Sequence, residues 1–494
     1  MTQAVQLMPE VEKFLQEPRK LLIGPEWVEA SSGKTFATID PARGDELTAV
    51  AEAGAEDVDA AVTFARKVVE SRKWSGMRPA DRGQILWRIA DLIEGQKFEL
   101  AQLEVLDQGK PMFMALAEMD IAISTFRYYA GWVDKHYGET IPSDGNMLLY
   151  SLREPMGVCA GIIPWNYPLI MASWKVAPAL AFGNAMILKP AEQTPLTALK
   201  LGEIALEAGA PPGLLQILTG AGETGAALVE HPGIDKIAFT GSTEVGREIM
   251  RNAAESLKRV TLELGGKSPN IVFSDADLGT AANMSMYGVF LNSGQTCTAA
   301  TRLLVEEKIH DEFVGSLVEA SNKMKLGHGL DSETRMGPVV SAEQLERVMG
   351  YVETGKKEGA KVISGGERGN GDLSDGFFVE PTVFTEVTPK MRIFQEEIFG
   401  PVLAVTVVKD VEDAINVGND TQYGLAAAVW TSDVKKAHRV AAGLKAGTVW
   451  VNTYGIYDPT VSFGGFKQSG FGRELGRHAV EAYTQTKSVW VNLA

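Results

Sequence analysis

Cysteine is nearly absent. Cys159 and Cys297 are the only two among 494 residues, too few for a disulfide framework, and no metal-type Cys spacing occurs. Six histidines, at 136, 231, 310, 328, 438 and 478, stand in charged or helical surroundings without aromatic or glycine framing. A cysteine–histidine hydrolase pair therefore lacks an evident second member. No run approaches the roughly 18 apolar residues of a membrane span. The first ten residues have neither a basic region nor a long apolar one, so no targeting segment is expected there. Lys and Arg number 47 against 63 Asp and Glu, a net charge of −16, and they nowhere cluster densely. Nucleic acid and anionic membrane are thus not expected partners. A reducing, cytoplasmic setting is the expectation.

What is present is an ordinary α/β composition, 45% hydrophobic and 22% charged with 51 glycines. The length demands about two or three domains. Short strand-like runs come first, Lys20–Gly24 and Thr35–Asp40, broken by turn chemistry at Ser31-Ser32-Gly33 and Pro41-Ala42-Arg43-Gly44. From Asp57 to Trp132 the spacing turns helical: Ala60, Ala61, Phe64, Ala65 and Val68, then Ile85, Ile89, Leu92 and Ile93, which caps a core. Pro142-Ser143-Asp144-Gly145 and the run to Arg153 predict a hairpin or extended arm leaving that block.

Strand and helix then alternate. Strands are expected at Gly157–Ile163, Ala185–Lys189, Leu214–Thr219, Lys236–Thr240 and Lys258–Leu264, with helices at Thr197–Ala208, Gly225–His231 and Ser242–Ala254. That rhythm is the signature of a doubly wound parallel sheet. A second α/β series starts at Ser268–Phe273 and continues through Arg302–Val305, a helix near His310–Lys323 and Val402–Val405. The tail Thr484–Asn492 alternates like an exposed strand in need of a partner edge.

Two glycine motifs follow strands: Gly220-Ala221-Gly222-Glu223-Thr224-Gly225 and Gly241-Ser242-Thr243-Glu244-Val245-Gly246. Either presents backbone N–H groups to phosphate at a helix N-terminus, and either also fits an ordinary tight turn. Ser242 adds a hydroxyl and favours the second. Neither ends in Gly-Lys-Ser/Thr, which disfavours ATP. Lys189 and Glu192 stand at a strand's carboxyl end, where they suit a ribose diol or a solvated surface pair.

Cys159 sits in an apolar run and reads as an inert small hydrophobe. Cys297 lies among Gln295, Thr296 and Thr298 and reads as a nucleophile. Glu263 alternates outward from its strand and is either its base partner or merely solvent-facing; the following Gly265-Gly266 permits close approach of another segment. Pro164-Trp165-Asn166-Tyr167-Pro168 is a stiff turn whose Asn166 amide is suited to donate to an oxyanion.

Taken together, Pro164–Pro168, Lys189–Glu192, Phe239–Gly246, Glu263–Pro269, Gly294–Cys297, Glu396–Pro401 and Phe463–Gly470 resemble the NAD(P)-dependent aldehyde dehydrogenase superfamily, in order and over nearly the whole chain. The resemblance implies a Rossmann-like cofactor domain (1–131 and 152–266), an α/β catalytic domain (267–467) and a β-strand oligomerisation arm (132–151 and 468–494). It implies a homodimer or homotetramer and an active site in the interdomain cleft. Its hydrolytic branch oxidises an aldehyde to the acid with water, through a thiohemiacetal and a thioester on Cys297. Asn166 and the Cys297 N–H would hold the oxyanion, and Glu263 would activate water. NAD is the expected cofactor and NADP the alternative, with Glu192 opposing a 2′-phosphate. The pyrophosphate turn would be Gly241–Gly246. Ile163, Trp165, Lys189, Glu192, Gly222, Phe239, Gly241, Ser242, Val245, Gly246, Leu264, Gly265, Glu397 and Phe399 would surround the cofactor. Tyr167, Met171, Trp174, Thr296, Thr298, Tyr457 and Phe463 would line the substrate tunnel, and their aromatic content favours an apolar or aromatic aldehyde. A quaternary-ammonium aldehyde of the betaine type is second, and a CoA-acylating enzyme, which needs no hydrolytic base, is third. No metal is expected.

Overall fold

A computed structural model describes residues 6–143 and 145–494. Asp144 of the expected hairpin turn, and Met1–Val5, lie outside the described residues. Two large sheets dominate. The first runs Gly470–Phe471, Arg259–Glu263, Lys236–Thr240, Val158–Ile162, Ala185–Lys189, Leu215–Ile217, Leu21–Ile23, Glu26–Val28. Its five middle strands, Arg259–Glu263 through Leu215–Ile217, are mutually parallel, and the outer ones are antiparallel. The parallel strands at its centre are buried throughout, which is why they read as apolar runs rather than alternations. Chain order moves outward from Val158–Ile162 through Leu215–Ile217 on one side, then resumes at Lys236–Thr240 on the other. The carboxyl ends of those two neighbouring strands therefore flank a topological switch point, the crevice where open α/β sheets bind ligands.

The second sheet has seven strands, from Lys361–Ser364 at one edge through Arg302–Glu306 and Pro269–Val272 to Thr448–Val451, all parallel except the first pair. Its two faces carry separate hydrophobic clusters. Four helices, Ala55–Ser71, Pro79–Gly95, Lys97–Gln108 and Met112–Ala130, fill the predicted helical block and join the first sheet's core.

Thr484–Asn492 pairs antiparallel with Met147–Pro155, which also pairs Thr140–Ile141. The tail strand thus finds its partner within the chain, and among the described residues its outer edge pairs with nothing. Residues 468–494, expected wholly in the arm, divide. Gly470 and Phe471 pair with Glu263 and Leu262 at the edge of the first sheet before the chain reaches the arm. Gly470 permits this, since a Cβ there would stand 1.9 Å from the Leu262 carbonyl oxygen.

Candidate active site

The Cys297 loop begins where the helix Leu278–Phe290 stops. Asn292, Ser293 and Gly294 all take left-handed φ values, 52°, 55° and 72°, at a cost of about 1–2 kcal/mol for each of the two non-glycine residues. Buried contacts hold them there. The Asn292 amide donates to the Asn166 carbonyl at 2.9 Å, and Ser293 Oγ donates to the Gly337 carbonyl at 2.7 Å. A Cβ on Gly294 would meet the Gly400 carbonyl oxygen at 2.0 Å. Strain over-determined in this way is a mark of functional sites.

The Cys297 thiol is pushed up to about 12 by burial, with Glu397 and Glu263 adding to the rise. Cys159 is likewise pushed up to about 12, by burial in the apolar centre of the first sheet, as its sequence context predicts. Glu263 is not solvent-facing: it is 3% exposed, and among the described residues neither carboxylate oxygen has a side-chain hydrogen-bond partner. Burial and then Glu474 raise its pKa well above the ordinary value, while Lys175 and Arg473 oppose them. Segments some 200 residues later in the chain cover it, with Gly464 so near that a Cβ would stand 2.7 Å from Glu263 Oε1. Lys175, itself fully buried, donates to Thr240 Oγ1 and Glu474 Oε1, each at 2.6 Å.

Gly265 and Gly266 provide the close approach their sequence suggests. A Cβ on Gly265 would stand 2.1 Å from Glu397 Oε2, and one on Gly266 2.4 Å from the Cys297 carbonyl oxygen. Gly266 N–H donates to Glu397 Oε1 at 2.9 Å. Asn166 is buried in its proline-framed turn, and its amide donates to the Gln295 carbonyl at 2.9 Å.

Three adjoining cavities meet here. One, of about 380 Å³ at the switch point, is lined by Ile163, Trp165, Lys189, Glu192, Gly222, Phe239, Gly241, Ser242 and Val245. Ser242 caps the helix Thr243–Ala254, its hydroxyl accepting from the Val245 N–H. Lys189 Nζ lies 3.8 Å from Glu192 Oε2 and donates to the Pro190 carbonyl; burial lowers its pKa. Gly246 does not face this cavity. A Cβ there would strike Leu264 Cδ2 at 2.5 Å, so this glycine lets the helix pack against Leu264.

A second cavity of about 250 Å³ shares Trp165, Gly241 and Ser242 with the first and adds Asn166, Leu264, Gly265, Cys297, Glu397 and Phe399. Burial pushes the Glu397 carboxyl up to about 7. Two residues absent from the sequence reading, Gln344 and Arg347, also line it. They hold the 397–399 turn through the Phe399 and Glu397 carbonyls at 2.7 and 2.9 Å. On a helix with many polar residues they read only as a solvated face, and nothing local marks them.

The third, of about 260 Å³, is lined by Tyr167, Met171, Trp174, Thr296, Tyr457 and Phe463, together with Cys297 and Glu263. Trp174, Tyr457 and Phe463 form a triangle with ring centroids 5.2–6.2 Å apart. Thr298 is buried against that triangle, where its hydroxyl shares a 2.6 Å hydrogen bond with the Tyr457 hydroxyl. Phe113, Met114, Ala117, Glu118 and Ile121 of the helix Met112–Ala130 form a wall that the sequence reading missed. Helical periodicity reports that a face is covered, not what covers it.

The sequence profile of the aldehyde dehydrogenase family matches residues 27–489. An aldehyde dehydrogenase of Emericella nidulans is 50% identical over 481 residues, 97% of this chain and 96% of that one. The NAD+ complex of an aldehyde dehydrogenase from Bacillus cereus superposes with a TM-score of 0.97 at 51% identity, covering 99% of this chain and all of that one. An NAD+ complex of betaine aldehyde dehydrogenase from Staphylococcus aureus gives 0.96 at 42% identity over 98% and 97%.

Proposed function

The chain belongs to the aldehyde dehydrogenase family, and from that premise we propose that it oxidises an apolar or aromatic aldehyde to the carboxylic acid with NAD+ and water. The observation that carries this reading is the position of Cys297. It lines both the apolar cavity and the cavity that leads to the switch point, so one thiol faces substrate and cofactor spaces together.

The residues around the crevice fit a dinucleotide. The Ser242-capped helix N-terminus offers free N–H groups and a positive dipole end to a pyrophosphate, and Gly241 keeps the turn clear of side chain. Lys189 and Glu192 suit one ribose, and Glu397, held against Gly266, suits the other. Glu192 disfavours a 2′-phosphate by charge repulsion, hence NAD over NADP. NAD+, when bound, accepts the hydride, and its positive ring favours the thiolate.

The chain's own groups do the rest. Cys297 Sγ bonds the carbonyl carbon, and the oxygen becomes an anion held by the Asn166 amide and the Cys297 N–H. Loss of hydride from that carbon leaves a thioester. Glu263 then takes a proton from water, the hydroxide adds to the thioester carbon, and the C–S bond breaks to release acid and thiolate. A carboxylate with a raised pKa is a stronger base than an ordinary one, which suits this step.

The aromatic triangle and Met171 support an apolar or aromatic substrate. A quaternary-ammonium aldehyde is the second reading: the same rings suit a cation, Glu118 adds a carboxylate to the wall, and a betaine aldehyde dehydrogenase is 42% identical. NADH production measured over aliphatic, aromatic and quaternary-ammonium aldehydes, with NAD and with NADP, tests both. A best substrate carrying a quaternary ammonium selects the second reading. Acyl-CoA in place of free acid, or turnover without nicotinamide, contradicts the hydrolytic dehydrogenase altogether.

We also take residues 1–131 and 152–266 as the cofactor domain, 267–467 as the catalytic domain, and the open edge of Thr484–Asn492 as a subunit contact giving dimers or tetramers. Among the described residues no helix is long and apolar enough to cross a membrane.

A further inference from the structure

Behind Asn166 lies a polar cluster that the chemistry above does not use. Lys110 follows the helix Lys97–Gln108, and its side chain is fully buried. An ammonium has three protons, and Lys110 has three hydrogen-bonding partners: Glu118 at 2.6 Å to both oxygens, Glu104 Oε1 at 3.1 Å, and the backbone carbonyl of Asn166 at 3.0 Å. It also sits 4.7 Å above the Tyr167 ring. The Asn292 amide donates to the same Asn166 carbonyl at 2.9 Å and to the Gln295 carbonyl at 3.4 Å. The Asn166 side-chain amide meanwhile donates to the carbonyl of Gln295, and Gln295 Nε2 donates back to the Asn292 carbonyl at 3.0 Å. Gln295 is itself fixed by the Val340 N–H at 2.8 Å.

The chain of contacts is continuous. It runs from Glu118 on the aldehyde-cavity wall, through Lys110, to Asn166, and on to the loop that carries Cys297 two residues beyond Gln295. An amide has two N–H bonds; with one committed to Gln295, the direction of the other is set by how the Asn166 backbone is held. Buried ion clusters are weak contributors to stability, because apolar residues of similar volume pack as well. Their better-attested use is to fix a geometry.

We propose that Lys110 and Asn292 are positioning residues that aim the Asn166 amide at the oxyanion. This rests on the aldehyde-oxidising reading given above. Neither touches the reacting atoms; both donate to the Asn166 carbonyl, and Asn292 donates also to the Gln295 carbonyl that the Asn166 amide meets.

Two variants separate positioning from mere structure. Lys110→Met/Glu118→Gln removes the Lys110 ammonium together with the carboxyl group that contacts it through both oxygens, so no charged partner of that pair is left alone in the core. Asn292→Gly removes the other donor and spares the backbone, since glycine accepts the left-handed φ. Each is made alone and again in an Asn166→Ala background, and NADH formation is followed at saturating NAD and aldehyde. In the native background kcat falls about 10- to 100-fold, short of or equal to the loss of a whole oxyanion donor. KM for NAD and the rate of Cys297 alkylation by iodoacetamide stay unchanged. In the Asn166→Ala background the same substitutions cost nothing further, because the amide they aim is gone. Equal losses in both backgrounds, or an unchanged kcat in the native one, overturn the proposal. Should the Lys110 variant not fold, Asn292→Gly carries the comparison by itself. A wild-type protein inert toward all aldehydes sinks the parent reading, whereas an active wild type with indifferent variants sinks only this one.

Discussion

At the scale of single residues, the site is a set of groups held in protonation states that water would not give them. Glu263 is the clearest case. Burial and Glu474 raise its pKa, and only the ionised form is a base, so hydrolysis should rise with pH through that raised value rather than level off in the ordinary carboxylate range. A pH–rate profile of the deacylation step checks this, and a profile already level just above the ordinary carboxylate range would count against it. Stability should move the opposite way. A folded-state pKa above the unfolded one gives a contribution present at low pH and lost as pH rises through the folded value. Glu263→Gln should therefore be more stable than wild type in alkaline buffer, by about 1–3 kcal/mol in denaturant unfolding, with the gap closing in acid. Cys297→Ala should abolish turnover yet leave NAD affinity intact by calorimetry; residual turnover near wild type would place the nucleophile elsewhere. At this scale the sequence was informative about chemistry and poor about direction. Cys297, Glu263 and Asn166 were singled out by their flanking residues. The alternative of a solvent-facing Glu263 survived there because its cover comes from Gly464 and Gly470, too distant for any local pattern to reveal.

Elements carry the next level of constraint. The parallel strands of the first sheet were legible almost to the residue: Ala185–Lys189 and Lys236–Thr240 stand where expected, since burial on both faces turns a strand into an apolar run with sharp ends. The helix Met112–Ala130 falls inside the stretch read as helical, Asp57–Trp132, without bounds of its own, and its face on the aldehyde cavity was not legible, because apolar spacing is the same against a core and against a substrate. The turn after Lys236–Thr240 offers a direct test. A Cβ on Gly241 would stand 2.4 Å from Phe239 Cζ, and both residues line the cofactor cavity. Gly241→Ala should weaken NAD binding about tenfold or more, the equivalent of at least about 1.4 kcal/mol. Cys297 alkylation by iodoacetamide should proceed at the wild-type rate. Unaltered NAD affinity by fluorescence titration would mean that the turn does not carry the pyrophosphate.

At the scale of the whole molecule, the arm and the cleft matter most. The strand Thr484–Asn492 keeps one edge free, and Trp490 on it is 69% exposed, with Leu148, Leu152 and Leu493 also exposed nearby in the arm. Single chains seldom leave so much apolar surface together without covering it. Trp490→Glu should shift the protein from dimer or tetramer toward monomer in light scattering, and a wild-type monomer would remove the basis for an arm. The cleft itself unites Glu263, at the carboxyl end of a strand of one sheet, with Cys297, from a loop attached to the other, and the proposed reaction requires them to act in sequence on one carbonyl. The most direct test is intact-mass and peptide analysis of Glu263→Gln after mixing with NAD and a substrate aldehyde. The expected result is one equivalent of NADH and a trapped acyl group on Cys297, heavier than the free thiol by the aldehyde less two hydrogens. Full turnover with no adduct, or an adduct on any residue but Cys297, would contradict it.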